Sequence, residues 1–488
     1  MKVVLGLDIG TTYFKCVVVS ESGDLLGVSR EAVKPAHPLP GYAELPFRTF
    51  RHLLKAVIED SLTIAGCVAS DVVSISYASQ ANTFALFDNE MSPLTPIVLW
   101  TDERSVDGTV SESESYAFLK TRQVDDRSLP VKLLWFRKSS PAVWAKTEHV
   151  LTISETMVYL LTGEIAVDAA TASLTGLLSD CFTSYDPECM ETLKLRDSML
   201  SRVLLPGTQI ARAAGSLAEE IGLLPSTILV AGNLDHVSAA IGAGIGQVAP
   251  VSVSIGTVLA VMEVRKGYPC SQLVHPDGSI TVPYLRPDSC FRLLARDMGA
   301  STLEWYRSTF AAKKSFAQLT EEARIVPPGC DGLAVRPHVA HNLGKSASIF
   351  SGSPNSSAGS DDGRFVRAIM EFTAATLGDL FDVVLAEPGP RMVVVTGGGS
   401  RSAVWLQIVA DMTGVSVTRL EVEESAAFGA AMHAAAGAKW CSKIEGFAKA
   451  RIRSADTFVP SVETSKAYKA WKESSHEYAK RITSHFPS

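Results

Sequence analysis

Two aspartates in this chain each follow a run of apolar residues, which is an unusual place for a carboxylate. Asp8 comes at the end of the run 3–7, and Asp235 comes shortly after the run 227–231. Aspartate is unfavourable in strands, and a buried carboxylate without a partner is costly. Asp8 at the end of a central strand therefore predicts a Mg²⁺ ion, held directly or through water beside a polyphosphate.

Asp235 stands where a strand pattern gives way to a helix pattern, and two interpretations are open. Aspartate at such a position is most often a helix N-cap. It is also suited to act as a general base that accepts a proton from a substrate hydroxyl during phosphoryl transfer. A Gly-Thr turn follows soon afterwards in the chain and favours the second interpretation. His236 is either a donor to that substrate or an ordinary packed or surface histidine.

The phrase Ile-Gly-Thr occurs twice, each time between two β-rich apolar runs. The copies are Ile9-Gly10-Thr11, which Thr12 follows, and Ile255-Gly256-Thr257. Each predicts a hairpin with the Gly-Thr turn at its tip. Backbone N–H groups in such a turn form an anion-binding concavity, to which the hydroxyls add donors. One copy is typical of an ordinary hairpin, but two copies half a chain apart predict related halves that face one another across a phosphate.

Two further groups of residues suit a nucleotide and a polyol. The run 397–399 is a triple glycine between a strand pattern and a helix pattern, so it is either a site where a flat ligand approaches the backbone or a flexible turn. In the first half, polar and aromatic side chains follow predicted strands, as a polyol site requires: Gln80, Ala81, Asn82, Trp100 and Asp102. Taken alone, Trp100 is typical of a core tryptophan, and Asp102 with Arg104 is typical of a surface ion pair.

Strand and helix patterns alternate along the chain, which predicts an α/β protein. The predicted strands are 71–76, 83–88, 227–231, 391–396 and 415–420, and the predicted helices are 49–66, 129–162, 299–310, 365–385 and 402–413. A glycine- and alanine-rich segment covers 238–246, and the domain boundary is expected between 240 and 250. The low-complexity stretch 351–363 is interpreted as a surface loop.

Composition excludes several other classes of protein. The 488 residues are 46% apolar and 20% charged, as in ordinary globular enzymes, and the formal net charge of −7 argues against nucleic-acid binding. Neither a signal-peptide core nor a membrane-spanning run is evident. The eight cysteines are scattered, without a Cys-x-x-Cys pair, which favours reduced thiols and a cytoplasmic location over disulfides or a zinc site.

From Val3 to about Gly437, the chain resembles the FGGY carbohydrate kinases, and within them the xylulokinase-like branch. The resemblance depends on the order and spacing of several motifs, each of which is weak alone. They are Leu7-Asp8-Ile9-Gly10-Thr11-Thr12 with Lys15, Trp100-x-Asp102-x-Arg104-Ser105, Lys132-Leu133-Leu134-Trp135, Tyr159-x-Leu161-Thr162-Gly163-Glu164, Gly232-x-x-Asp235, Ser254-Ile255-Gly256-Thr257, Gly397-Gly398-Gly399-Ser400 and Glu424-Ser425-Ala426-Ala427-Phe428-Gly429-Ala430-Ala431.

The resemblance implies two actin-like ATPase (ribonuclease-H-like) domains that face one another across a cleft. Residues 1–244 would form the sugar and phosphate side, and residues 245–488 the nucleotide side. ATP and Mg²⁺ are implied, and a homodimer is left open. The implied roles are Asp235 as catalytic base, Asp8 for Mg²⁺, Thr11, Thr12 and Lys15 for the transferred phosphate, Gly256 and Thr257 for the other phosphates, Gly299, Gly398 and Ser402 for adenosine, and Gln80, Ala81, Asn82, Trp100 and Asp102 for the sugar, with Asp235 and His236.

The chain departs from the family pattern at the sugar end. Xylulokinases usually carry Ser-Gly-Gln-Met-His where this chain has residues 78–82, so the Met-His pair is missing, and the Arg-Glu pair of glycerol kinases is also absent. The usual Gly-Glu-Arg-x-Pro segment is replaced at 341–345. The expected reaction is ATP-dependent phosphorylation of a ketopentose such as xylulose. The alternatives are another substrate (ribulose, erythritol or gluconate), a sugar-independent actin-like ATPase, and a silent binding protein on a kinase fold.

Overall fold

The computed structural model of the chain contains two compact units. The first comprises residues 1–244, 264–291 and 424–452, and the second comprises 245–263, 292–423 and 453–488. The residues that the structure describes are 1–122, 124–179, 182–256, 258–266, 274–283, 289–296, 299–335, 350–351, 361–385, 392–421, 424–441, 444, 447 and 454–483.

The strands and helices follow in chain order. The strands are β1 Val3–Ile9, β2 Tyr13–Ser20, β3 Leu25–Ala32, β4 Glu44–Leu45, β5 Val72–Ser79, β6 Phe84–Phe87, β7 Ile97–Val98, β8 His149–Thr152, β9 Ala166–Asp168, β10 Arg202–Leu204, β11 Gln209–Arg212, β12 Ile228–Val230, β13 Asn233–Leu234, β14 Val251–Ile255, β15 Leu259–Lys266, β16 Ile280–Pro283, β17 Ser289–Arg296, β18 Ala334–Val335, β19 Phe350–Ser351, β20 Met392–Thr396, β21 Ser416–Leu420 and β22 Ser454–Phe458. The α-helices are α1 Phe47–Ile64, α2 Glu114–Thr121, α3 Leu129–Ser139, α4 Pro141–Trp144, α5 Ile153–Thr162, α6 Ala169–Ser173, α7 Pro187–Leu193, α8 Ser216–Ile221, α9 Asp235–Gly242, α10 Ser301–Phe310, α11 Phe316–Arg324, α12 Asp361–Val384, α13 Ala403–Thr413, α14 Ser425–Gly437 and α15 Val462–Thr483.

The main sheet of the first unit is built around the first predicted hairpin. Its strands pair in the order β11-β12-β5-β1-β2-β3, and β13 also pairs with β5. β1 and β2 are antiparallel from Val3↔Ser20 to Ile9↔Phe14, and β1 and β5 are parallel. The hairpin predicted at Gly10-Thr11 is therefore confirmed, and its turn lies at the carboxyl end of the parallel strands.

The second unit repeats this pairing around the second predicted hairpin. β14 and β15 are antiparallel, with Ile255 opposite Leu259, while β14 and β20 are parallel, with Ser254 opposite Thr396. β21 pairs in parallel with β20, and β22 pairs antiparallel with β21. An antiparallel hairpin followed by parallel neighbours thus occurs in both units, which explains why the same phrase occurs twice in the sequence.

Helix α14 packs on the first unit although it lies far along the chain. It contacts β1, β5 and α9, and its residues from Ala427 to Ala435 are fully or nearly fully buried. Small residues let the helix approach the sheet closely, so the alanine-rich composition fits this packing. Residues 424–437 consequently fold with the first unit, whereas the sequence prediction placed all of 245–488 in one C-terminal domain.

The prediction of a helix over 129–162 is wrong in its middle part. The structure has α3 and α4 and then the strand β8, which pairs with β6, before α5 begins. The local reason is a strong start signal at Thr152. Its side chain accepts a hydrogen bond from the backbone N–H of Glu155, whose carboxylate accepts in return from the backbone N–H of Thr152. This capping box separates the strand from the helix that follows.

Candidate active site

The carboxyl ends of three strands bring the two predicted functional aspartates to one edge of the first unit. β1 and β13 both run parallel to β5, and Ile9 and Leu234 both lie opposite Ser79, on either side of it. Asp8 is the second-last residue of β1, and Asp235 directly follows β13. The pKa of Asp8 is raised, chiefly by burial, and the charge of Asp235 adds to this effect.

Asp235 is the first residue of α9 and does not cap it. The N-cap position is Leu234, without a side-chain cap bond, and Asp235 Oδ1 accepts from the backbone N–H of His236 at 2.7 Å. The N-cap interpretation is therefore wrong for this residue. Gly232 allows the segment to lie against β5, since a Cβ at this position would stand 1.8 Å from the carbonyl oxygen of Tyr77.

A chain of ion pairs links Asp8 to helix α14. Lys15 Nζ lies 3.1 Å from Asp8 Oδ2 and 3.0 Å from Glu424 Oε2, and Arg30 Nη2 lies 3.0 Å from Glu424 Oε1. Cross-strand pairing aligns these groups, because Asp8 is opposite Lys15 and Lys15 is opposite Arg30 in the sheet. The predicted phosphate-binding lysine is thus held between two carboxylates.

Burial governs the ionisation of this cluster. Burial raises the pKa of Asp8, and the charges of Asp235 and Glu424 raise it further, whereas Lys15 lowers it. Burial alone would lower the pKa of Lys15, but Asp8 and Glu424 raise it above its ordinary value. Lys15 therefore stays cationic, and the pair of like charges at Asp8 and Asp235 favours a cation between them.

The residues present suit Mg²⁺ bound together with phosphate. Within the described residues, no group of three or more His, Cys, Asp or Glu side chains could hold a metal by itself. Mg²⁺ is usually held by one or two carboxylates, with waters and substrate phosphates completing its shell. Asp8, with Asp235 near it, meets that requirement without a dedicated protein cage.

Three of the residues predicted to bind the sugar or the phosphate are joined directly. The indole N–H of Trp100 donates to Thr11 Oγ1 at 2.8 Å, and Thr11 Oγ1 is 3.3 Å from the buried Gln80 Oε1. Trp100 is only partly buried, so the interpretation as a core tryptophan is not met. Thr12, at the tip of the hairpin, is exposed. Gln80 and Trp100, both predicted to bind the sugar, are therefore in contact with Thr11 of the first Gly-Thr turn.

Asn82 uses its side chain to join two backbone segments. Its Nδ2 donates to the carbonyl of Leu174 at 3.1 Å, and its Oδ1 accepts from the backbone N–H of Leu129 at 3.0 Å. Its backbone has φ 59°, a left-handed conformation in which asparagine is enriched. These two bonds fix the orientation of the amide and leave one N–H and one oxygen lone pair for a further partner. The neighbouring Ala81 is partly buried and contributes only a methyl group.

Asp102 and Arg104 form a buried ion pair, so the interpretation as a surface pair is wrong. Asp102 Oδ1 accepts from Arg104 Nε at 2.7 Å and from the backbone N–H of Arg104, and Oδ2 accepts from Arg104 Nη2 and the backbone N–H of Ala43. Four donors occupy a carboxylate that has no exposed surface. Asp102 therefore serves to hold the loop that includes Trp100.

Lys132 also holds the loop that includes Trp100. This buried lysine donates from Nζ to the carbonyl of Leu99 at 2.7 Å and to that of Trp100 at 3.2 Å. Burial lowers its pKa to about 7, although the charge of Asp102 opposes the shift. The resemblance places Lys132 in a motif, and the structure indicates why a lysine stands there.

Lys132→Met should remove a rise in stability with pH. The pKa of Lys132 is about 7 in the folded protein and 10.5 in the unfolded chain. Between pH 7 and pH 10.5, Lys132 is therefore protonated in the unfolded chain and neutral in the folded protein. The free energy of unfolding then rises with pH, by up to about 1.4 kcal/mol per pH unit. Urea unfolding at pH 7, 8 and 9 should show wild type gaining stability over the variant. The exposed Lys138→Met on the same helix is the control, and a pH-independent difference would contradict the lowered pKa.

In the second unit, glycines after β14 and β20 let backbone segments lie close together at the carboxyl ends of these strands. Gly256 follows β14 and Gly397 follows its parallel neighbour β20, and a Cβ at Gly397, whose φ is 85°, would stand 2.7 Å from the carbonyl oxygen of Ile255. The buried Gly299 lies on the same turn, and the backbone N–H of Ala300 donates to Gly256 at 2.6 Å. The predicted adenosine residue Gly398 is exposed beside them. Gly299 and Gly397 therefore serve the close packing of backbone segments, whereas a Cβ at Gly398 would meet nothing within 4 Å, which leaves open space beside its backbone.

Ser402, also predicted for adenosine, has a structural bond in this edge. It is the N-cap of α13, and its Oγ accepts from the backbone N–H of Trp405 at 3.2 Å. The hydroxyl proton remains available to a ligand. Thr257, the departure at 341–345 and residues 352–360 of the low-complexity stretch lie outside the described residues.

Sequence reasoning assigned no role to Glu424 or Arg30. Glu424 opens the motif that precedes α14, and its acidic side chain before an alanine-rich helix was the available signal. No local sequence signal pointed to Arg30. Its place in the ion-pair cluster follows from its position opposite Lys15 in the pairing of β2 with β3. Within the described ranges, no helix combines the length and the apolar character that crossing a membrane requires.

Known protein families, curated proteins and solved structures match this chain over most of its length. Residues 3–242 match the FGGY family of carbohydrate kinases, N-terminal domain, and residues 281–438 match its C-terminal domain. The xylulose kinase of Bacillus subtilis is 28% identical over 96% of this chain and 95% of its own length, and the autoinducer-2 kinase of Yersinia pseudotuberculosis is 24% identical over 96% and 92%. The ligand-bound xylulose kinase of Lactobacillus acidophilus superposes with a TM-score of 0.83 over 99% of both chains at 19% identity.

Proposed function

The chain belongs to the FGGY family of carbohydrate kinases, and we propose that it transfers the γ-phosphate of ATP to a hydroxyl of a ketopentose such as xylulose. The expected two-domain α/β fold and the sugar-kinase activity are confirmed. The relatives named above are 28% and 24% identical to this chain, so the substrate itself belongs to the proposal. The observation that supports it most is the placement of Asp8, Lys15 and Asp235 at one sheet edge of the first unit.

In the proposed mechanism, Asp235 orients the attacking hydroxyl and accepts its proton. Its carboxylate is suited to this task because a backbone N–H holds one oxygen in place at the start of α9. Lys15, kept cationic by Asp8 and Glu424, stabilises negative charge on the phosphoryl group. Asp8 would hold a Mg²⁺ ion, which would supply positive charge to the phosphate oxygens.

The nucleotide is assigned to the glycine edge of the second unit. Gly256 and Thr257 would take phosphates through backbone N–H groups, while Gly299, Gly398 and Ser402 would line the adenosine. The support is Gly398, which is exposed and where an added Cβ would meet nothing within 4 Å, so a ligand can lie against its backbone. A backbone surface of this kind binds a flat, polar ligand without needing specific side chains.

D-Xylulose should not exceed every competing substrate by a large factor. Xylulokinases usually place Met-His where this chain has Ala81-Asn82, and the amide of Asn82 is engaged by Leu129 and Leu174. The pocket loses bulk and an imidazole, and a buried hydroxyl left without a partner costs ~1–3 kcal/mol, or roughly 5- to 150-fold in specificity. We expect kcat/KM for D-xylulose to be matched by another ketose or polyol.

The test is coupled ADP release over D-xylulose, D-ribulose, L-ribulose, L-xylulose, erythritol and gluconate. A lead of more than about a hundredfold for D-xylulose would mean that the Ala81-Asn82 departure has no consequence. A rate that does not depend on any sugar would instead favour an actin-like ATPase. No turnover with the whole panel would favour a silent binding protein.

A further inference from the structure

Glu424 is a buried carboxylate that pairs with two cations of the first unit. Its side chain is 7% exposed, its Oε2 lies 3.0 Å from Lys15 Nζ, and its Oε1 lies 3.0 Å from Arg30 Nη2. Lys15 Nζ also lies 3.1 Å from Asp8 Oδ2. Lys15 is therefore bound by two carboxylates, one on the neighbouring strand β1 and one at the start of α14.

Glu424 occupies the N-cap position of α14 but does not cap the helix. Its side chain makes no cap hydrogen bond, and glutamate is not among the residues preferred at this position. The carboxylate lies instead against β2 and β3, where Lys15 and Arg30 are opposite one another. The ion pairs, and not helix capping, therefore explain a carboxylate at this position.

Close backbone packing fixes the first turn of α14 and with it the position of Glu424. A Cβ at Gly6 of β1 would stand 1.9 Å from the carbonyl oxygen of Ala427, and a Cβ at Gly242 of α9 would stand 2.0 Å from that of Ser425. The helix thus lies directly against β1 and α9 within its first turn. Glu424 consequently reaches Lys15 from a rigid support.

The assignment of Mg²⁺ to Asp8 creates a competition with Lys15. Lys15 already pairs with Asp8 Oδ2, and two cations that share one carboxylate repel one another. A metal ion at Asp8 would therefore weaken the bond between Asp8 and Lys15. Lys15 is partly buried, and a cation that loses its partner in such a place is costly. Glu424 is placed to remain that partner.

We propose that Glu424 is a positioning residue, which retains Lys15 beside the transferred phosphate when Asp8 exchanges Lys15 for Mg²⁺. The proposal rests on the proposed function, which assigns the metal ion to Asp8 and the phosphate to Lys15. Among the described residues, Asp8 is the carboxylate that remains to Lys15 when Glu424 is removed. Without Glu424, Lys15 and the metal ion would compete for the same side chain.

The experiment measures how much Mg²⁺ improves the affinity for a non-hydrolysable ATP analogue in wild type and Glu424→Gln. Calorimetric titration in Mg²⁺ and in EDTA gives this gain without any turnover. The gain should be at least about tenfold smaller in the variant, as expected for a lost hydrogen bond between charged groups. The Mg²⁺ concentration for half-maximal ADP release should rise as well, while the KM for the sugar should change little.

Two variants serve as controls. Glu220 also pairs with a lysine and an arginine of the first unit, Lys55 at 2.9 Å and Arg51, so Glu220→Gln should leave the gain unchanged. Glu424→Asp keeps the charge and should keep most of the gain. Thermal unfolding checks that the variants are folded, as we expect because Lys15 still has Asp8 in Glu424→Gln.

A double variant tests whether Glu424 acts through Asp8. Asp8→Asn should already have lost most of the gain, so adding Glu424→Gln should cost little more, because both substitutions affect one exchange of partners. A loss as large in the Asp8→Asn background as in wild type would mean that Glu424 acts independently of Asp8, and it would overturn the proposal.

Two results with Glu424→Gln alone would also overturn it. One is a gain equal to that of wild type. The other is an affinity weakened equally in Mg²⁺ and in EDTA, which would mean that Glu424 only supports the fold of the site. If wild type releases no ADP with any sugar, the proposed function is rejected, whereas the binding measurements still decide the role of Glu424.

Discussion

Asp235→Asn should leave a folded, nucleotide-binding protein with kcat lowered by about 10²–10⁴-fold, the usual contribution of a general base. Asparagine has nearly the same shape and can still accept from the backbone N–H of His236, so α9 should begin as before. It cannot take the proton of the attacking hydroxyl. Coupled ADP release at saturating sugar and ATP measures kcat, and titration with a fluorescent nucleotide measures binding.

The control for this variant is Asp186→Asn. Asp186 is a true N-cap in the same unit, and its side chain accepts from the backbone N–H groups of Glu188 and Cys189. The substitution keeps that cap and should leave kcat unchanged. If Asp235→Asn turned over within about threefold of wild type, the assignment of a catalytic base would be rejected.

Asp8→Ala should lower kcat by at least about 10²-fold and raise the Mg²⁺ concentration needed for half-maximal activity. A metal ion that neutralises developing charge on phosphate is worth several kcal/mol, and Asp8 is the carboxylate we assign to it. The KM for the sugar should change less. Lys15 keeps its pairing with Glu424 in the variant, so the loss would not come from an unpaired buried cation.

A second variant and a control separate metal binding from packing. Asp8→Asn preserves the shape of the side chain and should show the same shift in the Mg²⁺ titration. Asp71 stands at the opposite end of β5 and pairs with the N-terminal amine, so Asp71→Ala should leave the titration unchanged. Identical Mg²⁺ titrations for wild type and Asp8→Asn would remove Asp8 from the metal site.

Local sequence patterns were enough to predict the two hairpins and the central strand β1. Alternating β-rich runs around Gly10-Thr11 and Gly256 predicted two hairpins, and both are present. The run before Asp8 predicted a central strand, and β1 is buried throughout. These predictions succeed because strand formation, turn chemistry and the burial of an apolar run depend on neighbours within about ten residues.

Tertiary structure decided the partners of the site residues. Glu424 reaches Lys15 from more than 400 positions along the chain, Asn82 turns its amide to Leu174 and Leu129, and Asp102 is saturated by buried donors. A sequence presents each of these residues only as a type, with a capacity to donate or accept. Which atoms satisfy that capacity depends on strand register and on how a distant helix packs, so a plausible ligand-binding side chain such as Asn82 becomes a structural link once the fold has placed two backbone groups beside it.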